Sequence, residues 1–89
     1  MKRIHILYSG RVHGVGFRYT AVDLAAKHKI LGWVKNTADG KVEVVAEGEE
    51  KVLDQFFAEL EGILSLYILE KSAYSEPASQ EFTSFSIKY

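Results

Sequence analysis

Apolar and polar residues change their spacing several times along this chain, and each change marks an element. Residues 3–9 are rich in β-forming side chains and stop at Ser9-Gly10, the pattern of a first strand. From Arg18 to Lys29 the spacing lengthens. Val22, Ala25, Ala26 and Ile30 recur three and four apart, as on one face of a helix. Residues 31–36 return to a short strand, and Asp39-Gly40 then gives a tight-turn signal, so 31–47 reads as a hairpin. Its second arm alternates Val42, Val44 and Ala46 with Lys41, Glu43 and Val45. The strongest helical stripe runs from Glu49 to about Gly62, with Leu53, Phe56, Phe57, Leu60, Ile63 and Leu64 opposite Glu50, Asp54, Glu59 and Glu61. Residues 66–75 predict a fourth strand, with Leu66 and Ile68 on one face and Tyr67 and Leu69 on the other. A loop at 75–81 leads to a fifth strand over 82–89, where Phe85 and Ile87 are apolar.

The order is βαββαβ plus a short C-terminal strand, which predicts an α+β fold. Two βα units around a hairpin suggest a ferredoxin-like sandwich, an antiparallel sheet with two helices on one face. Right-handed crossovers place the third strand between the first and second, which then run parallel. The segment after strand one and the end of strand two therefore share one edge of the sheet.

Composition narrows the setting. Eighty-nine residues suit one domain, 1–89, and 47% apolar with 26% charged residues is an ordinary globular balance. A net charge of −1 with mixed signs gives no basic footprint for nucleic acid. The absence of cysteine removes disulfides, thiolate nucleophiles and Cys-ligated zinc, and Pro77 is the only proline. The run Ile4-His5-Ile6-Leu7-Tyr8 is too short for a signal-peptide core, and no stretch approaches membrane-spanning length. The expectation is a cytoplasmic monomer that engages neither nucleic acid nor membrane.

The chemistry concentrates between strand one and helix one. Gly10-Arg11-Val12-His13-Gly14-Val15-Gly16-Phe17 places three glycines in a short connection. Such a loop can turn backbone N–H groups inward as a nest, with a helix N-terminus behind it, the arrangement that binds phosphate. Taken alone, three glycines are a weak signal that reads first as a tight turn into a helix, and the loop lacks the lysine and spacing of a P-loop. Arg18 changes the balance. A cation at a helix start opposes the macrodipole unless an anion lies between them, and a guanidinium can grip phosphate oxygens with two hydrogen bonds. Asn36, at the hairpin turn, has two readings: a turn-former, or a carboxamide that orients a nucleophilic water.

Gly10-Arg11-Val12-His13-Gly14-Val15-Gly16-Phe17-Arg18, followed by Gly32-Trp33-Val34-Lys35-Asn36-Thr37-Ala38-Asp39-Gly40-Lys41-Val42-Glu43, resembles the paired signature of the acylphosphatases. The resemblance covers essentially the whole chain, including the Phe85-Ser86-Ile87 ending. It implies a ferredoxin-like fold and cofactor-free, metal-free hydrolysis of small acyl phosphates to a carboxylate and inorganic phosphate. By the same resemblance, the backbone of Val12, His13, Gly14, Val15, Gly16, Phe17 and Arg18 binds the phosphate together with the Arg18 side chain. Asn36 orients the attacking water. Two positions depart from the pattern: His13, where the family more often has glutamine, and Gly62-Ile63-Leu64, where a glycine-proline pair is expected.

The inventory fits that chemistry. An acyl phosphate has a good leaving group, so holding the phosphoryl group and a water in line matters more than a strong base. His5, His13 and His28 fall on different elements and predict no metal site. Asp39 reads as a turn former and Trp33 as core or near-site packing. Two rivals have other uses for the fold. An RNA-binding module would need stacking aromatics on its central strands, and Lys41-Val42-Glu43-Val44-Val45 has none. A phosphate- or carbamoyl-phosphate-binding domain of a larger machine would share both motifs, but a chain ending at Tyr89 with both complete points to a free-standing enzyme.

Overall fold

The structure is a computed structural model and describes residues 1–89. Seven elements follow one another: β1 (Lys2–Gly10), α1 (Phe17–His28), β2 (Leu31–Asn36), β3 (Val42–Gly48), α2 (Glu50–Ile63), β4 (Ile68–Pro77) and β5 (Phe85–Lys88). The sheet order is β4-β1-β3-β2-β5. Both β1 and β2 pair antiparallel with β3, so they run parallel to each other on either side of it. The ferredoxin-like α+β arrangement is as expected.

The core forms because alternation along the strands meets the helical stripes. Ile6, Tyr8, Val34, Val42, Val44 and Ala46 pack from one face of the sheet against α1 and α2. Phe56 is fully buried, with its ring edge-on to Phe57 and Phe85. Truncating a side chain in that position costs about 3–5 kcal/mol. The α2 stripe holds at Leu53, Phe56, Phe57, Leu60 and Leu64, but Ile63 is exposed and Gly62 lies within the last turn rather than capping it.

Three expectations need correction. In α1 the buried positions are Phe17, Ala21, Leu24 and Ala25, whereas Ala26 is exposed. Phe17 opens the helix and seats the largest side chain, so the i, i+4, i+7 series counted from it faces the core. At the fourth strand, residues 64–67 are turn, the strand continues through Pro77, and Leu66 and Leu69 are exposed. Proline, which has no N–H to donate, is tolerated there because β4 is an edge strand and no outer strand is left without a donor.

The third correction concerns direction. β4-β1-β3-β2 is antiparallel as expected, but β5 joins β2 in parallel. The cause is where the chain crosses. β4 ends opposite Lys2, and the 78–84 segment passes over that end of the sheet to the start of β2, where the Gly32 N–H donates to the Ser84 carbonyl at 3.0 Å. Buried Glu47 pins the crossing, accepting from the Ser79 N–H (2.8 Å), the Ser79 hydroxyl (2.9 Å), the Gln80 N–H (3.0 Å) and Arg3 Nε (2.9 Å). Arg3 also donates to Ser79 Oγ at 2.6 Å and Glu81 at 2.7 Å. No helix is long and apolar enough to cross a membrane.

Candidate active site

At the end of β1 the Arg11 N–H donates to the Tyr67 carbonyl at 2.9 Å, and Val12 sinks into the core, 1% exposed. The loop between Val12 and α1 is shaped by two left-handed glycines, Gly14 (φ 75°) and Gly16 (φ 78°). A Cβ at either position would meet no atom within 4 Å, so the backbone twist, not lack of space, calls for glycine. Gly16 in the left-handed region followed by right-handed Phe17 is the alternation that makes a backbone nest.

Gly16 is also the N-cap of α1 and brings no side chain to cap it. The first intrahelical bond runs from the Thr20 N–H to the Gly16 carbonyl at 3.0 Å, which leaves the N–H groups of Phe17, Arg18 and Tyr19 without helical acceptors. No acidic residue sits in that first turn. Arg18, itself half-buried, adds its own charge to the positive end of the helix. Its guanidinium carbon lies 5.7 Å from the centroid of the Tyr89 ring, a cation–π contact.

Asn36 approaches from the end of β2, paired with Val42 across the hairpin. The hairpin is braced by the Thr37 hydroxyl, which donates to Asp39 and accepts from the Lys41 N–H at 3.0 Å. The Thr37 contact holds the Asp39 carboxyl below the usual carboxylate range, in keeping with a turn-forming role. Asn36 Oδ1 is buried without a hydrogen-bond partner. Buried acceptors are rarely left so, since each costs about 1–3 kcal/mol.

These groups meet in one cleft of about 260 Å³, lined by Val12, Gly14, Gly16, Phe17, Arg18, Tyr19 and Asn36. It unites the glycine loop, Arg18 and Asn36. Two loop residues stand back from it: Val15 packs toward the core, and His13 Nε2 donates to the Lys41 carbonyl at 2.8 Å, tying the loop to the hairpin. Tyr19 was not picked out from the sequence, although its place beside Arg18 on an outward helical position could have drawn notice. Trp33 is neither core nor near the cleft. The strand parity that turns Val34 inward sends it to the open face of the sheet, where Lys88 Nζ lies 4.6 Å from its ring centroid. His5 is bonded to Glu43 and Tyr74, and His28 to Glu59, so the three histidines serve three separate places.

The cleft can hold a small anion and a water, and comparison with known proteins identifies the chemistry. The sequence profile of the acylphosphatase family matches residues 4–87. This chain belongs to the acylphosphatase family. The acylphosphatase of Pseudothermotoga lettingae is 44% identical over 87 residues, 98% of each chain. The crystal structure of the Bacillus subtilis acylphosphatase superposes with a TM-score of 0.91 at 36% identity, covering both chains completely. Full-length HypF, crystallised in a phosphate- and nucleotide-bound form, contains a similar unit with a TM-score of 0.86 and 28% identity, and the match spans 12% of that protein. As an acylphosphatase, the chain is a hydrolase whose substrate is an acyl phosphate and whose product is inorganic phosphate.

Proposed function

We propose that residues 1–89 act as one domain and as a monomer, with Arg18 and the nest holding the phosphoryl group while Asn36 aims the water. The observation that carries this reading is the unpartnered buried Oδ1 of Asn36 in the wall of the cleft that Arg18 and the glycine loop also line. In that arrangement the free N–H groups at the start of α1 and the Arg18 fork neutralise the equatorial oxygens as charge builds on them. Asn36 Oδ1 accepts a hydrogen bond from the water and directs its oxygen at phosphorus. A P–O bond forms to that oxygen, the bond to the acyl oxygen breaks, and the carboxylate leaves. The water's proton passes to the released phosphate or to solvent. A carboxylate is a stable leaving group, so no protein nucleophile or strong base is needed.

Arg18 and backbone amides supply the positive charge in this scheme, so turnover of benzoyl phosphate is expected without added metal and in the presence of EDTA. Arg18→Ala should weaken competitive inhibition by phosphate and lower turnover together, each by tenfold or more, the worth of about 1.5–3 kcal/mol for hydrogen bonds to a charged group. No turnover above background in EDTA would overturn the reading. It would favour the alternative raised by the HypF likeness, a phosphate-binding module of a larger protein.

A further inference from the structure

We propose that Tyr19 receives the acyl group of the substrate and tilts the enzyme toward flat, aromatic acyl phosphates over acetyl phosphate. The inference rests on the placement of phosphate and water given above and deepens it to a substrate class.

The cleft of about 260 Å³ lies just under the roughly 300–1,000 Å³ of ordinary small-ligand pockets. A phosphoryl group and a water fill on the order of 100 Å³ of it, at about 30 Å³ per water-sized group. The roughly 160 Å³ that remains is about the space that accommodates a benzene ring, so an aromatic acyl group fits against the cleft's own wall. In-line displacement also fixes where it goes, since the leaving oxygen lies opposite the water and the water is held at the end of β2. The acyl group then departs away from Asn36.

Among the cleft residues outside β2, only one offers an exposed side chain not already committed to the phosphate. Val12 and Phe17 are 1% and 2% exposed, and Gly14 and Gly16 have no side chain. Arg18 is committed to the phosphate. Tyr19 remains, a ring that lines the cleft and is 66% exposed. It takes part in none of the molecule's aromatic pairs or side-chain hydrogen bonds, so neither explains its presence. Tyrosine is also an indifferent residue for an exposed helical position. A flat ring at the mouth of a small phosphate site is well suited to stack on an aromatic acyl group, and it has little to offer a methyl group.

The test compares kcat/KM for benzoyl phosphate and acetyl phosphate in the wild type, Tyr19→Ala and Tyr19→Phe, with the inhibition constant of inorganic phosphate as a control. Tyr19→Ala should lower kcat/KM for benzoyl phosphate about three- to tenfold, the worth of one aromatic stack. Acetyl phosphate should change less than twofold, Tyr19→Phe should match the wild type on both, and phosphate inhibition should not move. Equal losses on the two substrates would assign Tyr19 to helix structure and overturn the inference, as would an unchanged benzoyl rate. If the wild type turned over neither substrate, the hydrolytic scheme would fail separately. Calorimetry with phenylphosphonate and inorganic phosphate then decides the matter without turnover: tighter binding of phenylphosphonate that disappears in Tyr19→Ala supports the inference, and equal affinities overturn it.

Discussion

Replacing Asn36 with alanine separates a residue kept for chemistry from one kept for structure. A turn-forming or core-bonded asparagine would be lost at a cost, because its partners would be left unpaired. Asn36 Oδ1 has no protein partner to lose. A buried acceptor in that state costs the fold about 1–3 kcal/mol, and a bound water offsets most of this at an ordering cost of about 0–2 kcal/mol. Asn36→Ala should therefore leave stability unchanged or raise it by up to about 1 kcal/mol, which in a domain of this size raises Tm by at most about 4–8 °C. Turnover should move the other way. An unpositioned water costs about a hundredfold or more in kcat, the price of misplacement by roughly an ångström. Phosphate inhibition should stay within about twofold, since the anion is held by Arg18 and the loop. Thermal melts, steady-state turnover of benzoyl phosphate and phosphate inhibition together form the assay. A fall in Tm of several degrees would refute the reasoning by showing that Asn36 holds the hairpin. So would a loss of phosphate inhibition as large as that in Arg18→Ala.

Other expectations concern the loop and the crossing behind it. Gly16→Ala should destabilise the fold by about 1–2 kcal/mol, the cost of a left-handed residue with a Cβ. Because that Cβ would meet no atom within 4 Å, no steric cost is added, and an unchanged Tm would mean that the left-handed turn is dispensable. Glu47→Ala should cost about 3–5 kcal/mol in chemical denaturation by stranding Arg3 and the amides of Ser79 and Gln80, and Glu47→Gln should cost less. Burial alone would raise the Glu47 pKa, but the hydrogen bonds from Ser79, Arg3 and Gln80 outweigh it and hold the carboxyl below the ordinary glutamate value. That stabilisation is complete above the unfolded pKa, near 4.3 (about the model-peptide value), and is lost as pH falls through the lower folded pKa. Melts taken from neutral pH downward should thus show less acid sensitivity in Glu47→Gln than in the wild type. Identical acid profiles would remove Glu47 from the account.

Much of the molecule was legible in the residue pattern where a signal is local. α2 announced itself because Leu53, Phe56, Phe57 and Leu60 are large and evenly spaced. The hairpin did so because Asp39-Gly40 suits a tight turn, and the anion loop because Gly14 and Gly16 interrupt good helix- and strand-forming sequence. α1 was misread on its face because alanine and valine weigh little in any periodic pattern, and the decisive residue, Phe17, stood at its first position. Trp33 was misassigned because a short strand does not say which parity faces the core. Register against β3 decides that, and a one-residue slip reverses it. The parallel direction of β5 follows from Glu47 and Arg3 clasping the 78–81 segment across a sequence distance that no local pattern spans.

The candidate site divides along the same line. The sequence by itself determined its parts: glycines that permit left-handed backbone, an uncapped helix start that attracts an anion, an arginine beside it, and an asparagine at a turn. The predicted topology already set them at one edge of the sheet. The tertiary structure closed them into one cleft, with β1 and β2 flanking β3 in parallel and each paired to it. It also decided that Asn36 Oδ1 would be buried yet unpartnered, and that Tyr19 would line the cleft while largely exposed and in no aromatic pair. Those are properties of non-local distances and burial, which the pairing of distant strands sets and short-range spacing does not.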